Sequence, residues 1–482
     1  MQSAIEIAAA IRAGETTAAE QLRIHFARVD ALNPQLNAVI WQERDSAMAV
    51  AQACDAETAK GQSRGPLHGV PITVKESFDL AGSPTTMGIP ELKDNIRHED
   101  SDAVARYRAA GGIVYGKTNV PLKLVEWQSF NEIYGSTSNP WDQTRTSGGS
   151  SGGSGVSVAT GMAALEAGSD IGSSIRNPAH YNGVFGLKPT WNAVSKKGHS
   201  MEGWYGDIDI AVAGPLARTA DDLTLAFDVL AGPGPFDASQ WALNLPPDGR
   251  SRLSEFTVAL KLGDPSAPVD QAYLDALARF ADQLEAAGAR VLRDHLPQIE
   301  SEPHFMLYLK LLGAALSLGM SDADAAAAVA PYADAPEDVK RIGGTRMSGT
   351  QISHREWLSL DNQRRIARLA FDAFFQEVDV IIAPVASSAA FKKDESGLRA
   401  FRRFPVNNVQ QVENTQLFWS GYSGVVGIPS VVGPMAQIDG LPVGYQAICG
   451  HGRDRTCLAF ARAVEREIVG YTPPPICGVY SA

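Results

Sequence analysis

SGGSSGGSGVSVATGMAALEAGSDIGSSIRNPAHYNGVFGLKPT, residues 147–190, decides how the rest of the chain is read. It carries two clusters of Gly and Ser. The first, residues 147–155, runs straight into the Ala- and Val-rich residues 156–165, which read as a buried helix. Glycines that open a helix permit a tight turn and a close backbone approach, and the free N–H groups of a first turn attract negative charge. The second cluster, Asp170-Ile171-Gly172-Ser173-Ser174-Ile175-Arg176, sets serines on a tight loop between a carboxylate and a guanidinium. Hydroxyls, exposed amides and small side chains suit acyl transfer, which needs a nucleophile and donors for a developing oxyanion.

Three other readings compete for this stretch. A phosphate-binding P-loop requires a lysine after its last glycine, and none follows here. Gly148-Gly149-Ser150-Ser151-Gly152 has the G-x-S-x-G form of a nucleophile elbow, but an elbow follows a strand, and residues 139–146 (NPWDQTRT) read as loop. A Gly/Ser-rich structural turn would explain the first cluster standing alone.

It does not stand alone. GVPITVKES at 69–77 is a strand-like run that delivers Lys75. GKTN follows at 116–119, NPWD at 139–142, GGSSGGS at 148–154, SDIGSSIRNPA at 169–179 and GLKPT at 186–190. In order and spacing these motifs closely resemble the amidase signature family, and GPLAR at 214–218 and GLPVG at 440–444 extend the resemblance over nearly the whole chain. The resemblance implies a single large α/β domain, residues 1–482, around a central mixed, twisted β-sheet covered by helices. Within it residues 1–60 form N-terminal helices, 65–220 the signature catalytic core, and about 300–350 a variable region that shapes the pocket.

The resemblance also implies a serine amidohydrolase with a Ser-Ser-Lys triad. Ser174 would be the nucleophile, Ser150, preceded by a cis peptide bond, would relay the proton, and Lys75 would accept it. A serine hydroxyl needs an adjacent base, and a lysine serves near neutral pH only if burial lowers its pKa. The amides of Ile171, Gly172, Ser173 and Ser174 would form the oxyanion hole, with Asp170, Arg176 and Ser151 supporting the loops. Leu124 matches a position beside the substrate, and Trp127 and Phe130 either line the cavity or belong to the core. Lys117 and His180 read as structural. One departure stands out: the family usually has Gly-Gly-Ser where this chain has Gly172-Ser173-Ser174. A positive φ at the middle position would strain a serine, and otherwise its hydroxymethyl group narrows the pocket.

Composition bounds the partners. The chain has 482 residues, is 44% hydrophobic and 20% charged, and carries a net charge of −12 without a basic run. That balance argues against nucleic acid and anionic membrane surfaces. Four cysteines without C-x-x-C spacing read as free thiols of a reducing cytoplasm, no secretory signal is visible, and the nine histidines are scattered, so neither metal nor cofactor is expected. Residues 305–320 are strongly apolar but too short, and too interrupted by Lys310, to span a bilayer, and read as a buried helix or pocket wall. Helices are expected from Thr17 to about Leu32, ended by Asn33-Pro34, and over 156–167, and a surface excursion over 321–350. The expected substrate is a small-molecule amide, with anilides, esters or carbamates (aryl acylamidase or urethanase activity) as extensions, cleaved by a monomer or homodimer. The glutaminase subunit of a tRNA-dependent amidotransferase shares the signature and is the alternative. A silent binding protein on the same scaffold fits poorly with retention of Lys75, Ser150 and Ser174.

Overall fold

Short runs rich in Val, Ile and Ala pair into the molecule's central layer. In the computed structural model, which describes residues 1–201 and 203–480, eleven strands form one sheet. They are β1 (Val39–Gln42), β2 (Pro71–Lys75), β3 (Ile113–Thr118), β4 (Leu165–Asp170), β5 (Phe185–Lys188), β6 (Val212–Ala217), β7 (Thr257–Leu260), β8 (Arg290–Leu292), β9 (Val380–Ala383), β10 (Ser430–Ile438) and β11 (Leu441–Ile448). Their order is β1-β3-β2-β4-β6-β5-β10-β11-β9-β7-β8. The sheet is mixed: β2 runs parallel to β3 and β4, and β7 parallel to β8 and β9, while the remaining pairs are antiparallel.

Strands covered on both faces read as continuous apolar runs, and every residue of β2, β3 and β4 is buried. Because β2 and β4 are parallel neighbours, their C-terminal ends emerge on one edge of the sheet, with Lys75 closing β2 and Asp170 closing β4. The crevice outside the carboxyl ends of strands is where open α/β sheets place ligands. The sheet therefore presents the lysine and the serine loop at the same edge.

Three expectations need correction. The helix from the first Gly/Ser cluster spans Gly152–Ala159 rather than residues 156–167, and the end of that stretch, from Leu165, already belongs to β4. Arg218 ends the helix by donating to Val158 O at 3.1 Å and Ala163 O at 2.8 Å, and Gly161 turns the chain at φ 69°. The N-terminal helix capped by Thr17 runs through Pro34 to Leu36. Its end is set by Asn37 in the left-handed region and by the Asn33 side chain, which accepts from Ala38 N at 2.8 Å and Val39 N at 2.9 Å. Residues 321–350 are not a surface excursion alone. They fold into short helical turns against the helix Ser301–Leu316, and part of them walls a cavity.

Candidate active site

Lys75 is fully buried, and its Nζ donates to Ser150 Oγ at 2.6 Å and Ser169 Oγ at 2.9 Å. No carboxylate forms an ion pair with it among the described residues. Burial pushes its pKa down to about 7, against the weaker opposing pull of Asp170, Glu166 and Glu76. A lysine in this state is substantially neutral near pH 7 and able to accept a proton.

Ser150 follows a cis peptide bond after Gly149. A side chain at Gly149 would put its Cβ 2.3 Å from Glu126 O, so only glycine lets this backbone approach its neighbour. Asn177 clamps the turn: it accepts from Gly149 N at 2.9 Å and donates to Gly149 O at 2.6 Å and Ser173 O at 2.8 Å. Ser151 adds a second link, its N–H donating to Ser174 O at 3.1 Å and its hydroxyl to Ser169 O at 3.4 Å. The two serine loops are one hydrogen-bonded unit.

Asp170 organises the second loop. It accepts from the amides of Ser173 at 2.9 Å, Ile175 at 3.1 Å and Arg176 at 3.3 Å, and from Arg176 Nε at 3.0 Å and Nη2 at 2.9 Å. Arg176 spends its other protons on Ser420, Ser423 and Gln446. Both side chains are wholly buried, which is tolerable only because their hydrogen-bonding groups are so fully engaged. Burial alone would raise Asp170, but the Arg176 charge and hydrogen bonds hold the carboxyl below its usual range.

This geometry corrects the expected donor set. The Ser173 amide is already given to Asp170, which leaves Ile171, Gly172 and Ser174 as the loop amides with no acceptor among the described residues. Ser173 itself sits at φ 75°, its side chain is buried, its Oγ has no partner, and it is absent from the cavity wall. Its hydroxymethyl group therefore does not narrow the pocket. Phe130 is likewise off the wall and lies under the Arg402 guanidinium, 5.6 Å from its ring centre. Trp127 is buried, borders a small recess beside Ser174 and donates from Nε1 to Gly172 O at 2.7 Å, so it buttresses the loop. Tyr308 does the same for Ile171 O at 2.9 Å. Leu124, at φ 61°, borders both the cavity and the recess.

Ser150, Ser169, Asp170, Ile171 and Ser174 form the floor of a cavity of about 1190 Å³. Ser174 Oγ makes no hydrogen bond among the described residues, so the contact to Ser150 implied by the resemblance is not formed, although both hydroxyls open on this space. The other candidates are occupied. His180 donates from Nε2 to Ser388 O at 3.0 Å and accepts from Gly444 N at 2.8 Å through Nδ1. Lys117 is tied to Pro84 O and Thr85 Oγ1. Cys54, Glu57 and His68 come together despite the scattered look of the histidines, but both His68 nitrogens bond to the surrounding chain and Glu57 is paired with Arg64.

A family model described as Amidase matches residues 20–458. The chain belongs to the amidase signature family. It is 34% identical over 473 residues to an indoleacetamide hydrolase of Bradyrhizobium diazoefficiens, covering 96% of this chain and 86% of that protein. It is 31% identical over 474 residues to a glutamyl-tRNA(Gln) amidotransferase subunit of Rhodopirellula baltica, covering 92% of each. The crystal structure of a bacterial aryl acylamidase of the amidase signature family superposes with a TM-score of 0.80 at 23% identity, over 97% of this chain and 96% of that one, a likeness of fold.

Several residues of this amidase-family site have roles that the sequence alone does not reveal. Ser169, which no motif singles out as functional, is the second partner of Lys75. Asn177 carries one usable signal, its place directly after Arg176 in a short helix facing the first loop. Arg346 comes from the region at about 300–350 expected to shape the pocket, and it reaches the cavity although nothing local singles it out.

Proposed function

We propose that this chain is a serine amidohydrolase that works through an acyl-enzyme on Ser174. The observation that carries the reading is the buried Lys75, with a pKa near 7, hydrogen-bonded to Ser150 at the floor of a cavity that Ser174 also faces. As Ser174 Oγ attacks the carbonyl carbon, its proton passes to Ser150 Oγ and the Ser150 proton passes to Lys75 Nζ. The hydroxyl contact absent at rest forms when the substrate draws Ser174 into line, as catalytic hydrogen bonds commonly tighten only in the complex. The amides of Ile171, Gly172 and Ser174 receive the developing oxyanion. Collapse expels the amine, which takes the proton from Lys75 through Ser150, and water then cleaves the acyl-enzyme by the same relay.

The substrate class is the carboxamide, with anilides, esters and carbamates reachable by the same attack. No cofactor enters this scheme. Four free cysteines agree with a reducing cytoplasm, and the enzyme acts as a monomer or homodimer. Among the described residues no helix is long and apolar enough to cross a membrane. The test is ammonia or amine release by the purified chain from a panel of amides, with intact-mass detection of an adduct on Ser174. The amidotransferase relatives favour a second reading, the glutaminase part of such a complex. Glutamine turnover that appears only with added partner proteins, and no turnover of simple amides, would select that reading instead.

A further inference from the structure

Beside the strand end that carries Lys75 lies a buried carboxyl that takes no part in the proton relay. Glu166 of β4 stands opposite Thr73 of β2, and Lys75 follows Thr73 by two residues, so Glu166, Thr73 and Lys75 share one face of the sheet. The helix Gly152–Ala159, which starts two residues after Ser150, covers this face with Ser154 and Ser157. Thr73 Oγ1 donates to Glu166 Oε1 at 2.7 Å and, its one proton spent, accepts from Ser157 Oγ at 3.0 Å. Thr118 and Ser154, bonded to each other at 2.9 Å, bring two more hydroxyls to the carboxyl from β3 and the helix.

Glu166 is wholly buried, and no Lys or Arg pairs with it among the described residues. Its Oε2 has no hydrogen-bond partner there. A carboxylate in that setting would be an uncompensated charge taken out of water, which costs far more than keeping the proton. Burial pushes its pKa up to about 8, against the opposing pull of the Thr73, Thr118 and Ser154 hydroxyls. The other titratable groups around the pair are committed. Tyr107, from the helix Asp102–Ala109, donates to Glu166 O at 3.2 Å, Tyr115 of β3 donates to Met162 O, and burial drives both phenols upward. On the side of Lys75, Asp170 belongs to Arg176, and Glu76 accepts from the amides of Thr86 and Met87. His199 is held neutral by burial and by the charges of Lys75 and Lys196. Glu166 thus acts on Lys75 with a charge that appears only just above neutrality.

We propose that Glu166 works as the un-ionised acid, withholding a counter-ion from Lys75 so that the ammonium formed during attack readily gives its proton to the departing amine. Glu166 is then a positioning residue for amide rather than ester cleavage, and the inference rests on the amidohydrolase reading. Attack joins Ser174 Oγ to the carbonyl carbon and leaves its proton, through Ser150, on Lys75. Breaking the C–N bond needs that proton back, because the amine leaves as the neutral molecule. A phenolate leaves from an aryl ester without it. A carboxylate beside Lys75 would hold the proton on the ammonium and slow the amide step selectively.

The test follows kcat/KM with pH for the most reactive acyl anilide of the panel and for the nitrophenyl ester of the same acid. In the unaltered enzyme both should rise through about pH 7, and above about pH 8 the anilide-to-ester ratio should fall about threefold or more as Glu166 ionises. Glu166→Gln keeps the carbonyl that accepts from Thr73 but has no charge to gain, so its ratio should stay level over the same range. A ratio that falls equally in Glu166→Gln overturns the proposal. So does a rise near pH 7 that moves to lower pH in Glu166→Gln, because Glu166 would then already be the counter-ion of Lys75. Urea unfolding tests the protonation itself. Above about pH 5 the folded chain keeps a proton on Glu166 that the unfolded chain has lost, so the unaltered protein loses stability with rising pH and Glu166→Gln does not. The variant's relative stability should therefore grow between about pH 5 and 8, by up to about tenfold in the folding equilibrium constant per pH unit. A difference that does not change with pH overturns the proposal. A difference that does, with no amide turned over, keeps the neutral acid and overturns the hydrolase reading.

Discussion

Residues 147–177 bury almost every polar group they carry against a partner, whereas the wall opposite leaves rings in solvent and a guanidinium without a carboxylate. On the floor, Lys75, Ser150, Ser169, Asp170, Arg176 and Asn177 are linked by bonds that cross between both serine loops and the strand ends. On the wall, Tyr205 is 94% and Phe236 83% exposed, and Trp204 and Trp241 more than a third. Arg346 belongs to the same wall. The floor is held by many interlinked hydrogen bonds, the kind of support that a fixed reaction geometry requires. The wall is cheap to change, because little of the fold depends on it, and that is where discrimination among substrates is adjusted.

The largest effect should come from removing the floor's free hydroxyl. Ser174→Ala is expected to lower kcat by about 10⁴-fold or more, as for other nucleophile deletions, and to abolish labelling by fluorophosphonates. Intact-mass spectrometry of both proteins checks it. Full labelling of the variant would move the nucleophile elsewhere. Lys75→Met should cost nearly as much. In the unaltered enzyme kcat/KM should rise as pH passes through about 7, because protonated Lys75 cannot accept a proton and deprotonated Lys75 can. A profile with no inflection there, or the same inflection in Lys75→Met, would assign the base to another group.

A stability comparison tests the contrast directly. Arg176→Met leaves Asp170 as an uncompensated buried charge and should destabilise the protein by about 3–5 kcal/mol in urea unfolding. Phe236→Ala on the wall should stay within about 0.5 kcal/mol, as for surface sites. Similar losses at the two positions would mean that floor and wall are equally part of the folding core, and the division drawn between them would fail.

What is legible in the sequence follows the same line. Lys75 at the end of PITVK and Asp170 at the mouth of a tight loop announce themselves, because a buried strand and a loop acceptor are consequences of a few adjacent residues. The sheet class can be read from the rhythm of strands and helices and from the family motifs. The helix expected over 156–167 is misplaced, because Ala-rich residues suit helix and buried strand alike, and Arg218, more than fifty residues on, decides where it stops. Asn177 acts on a backbone 28 residues away, and Arg346 meets Arg399 only through tertiary packing. No local pattern encodes such meetings.

The one expected gain in stability concerns Ser173, where the floor departs from its own rule. Its amide is committed to Asp170, its φ of 75° is a conformation that favours glycine, and its buried hydroxyl finds no partner. Holding a non-glycine residue in the left-handed region costs roughly 1–2 kcal/mol, and an unmet buried hydroxyl adds to that. Ser173→Gly removes both penalties, while the added freedom of glycine in the unfolded chain returns about 0.5–1 kcal/mol of the gain. The net expectation is a stabilisation of about 1 kcal/mol, read as a higher urea midpoint at unchanged slope. Because the side chain does not reach the cavity, kcat/KM for small and bulky amides should change by the same small factor. A selective gain on bulky substrates would show that the hydroxymethyl group reaches the substrate after all. A loss of stability would show that the hydroxyl is bonded in solution, to a water for example, and that the floor obeys its rule at this position too.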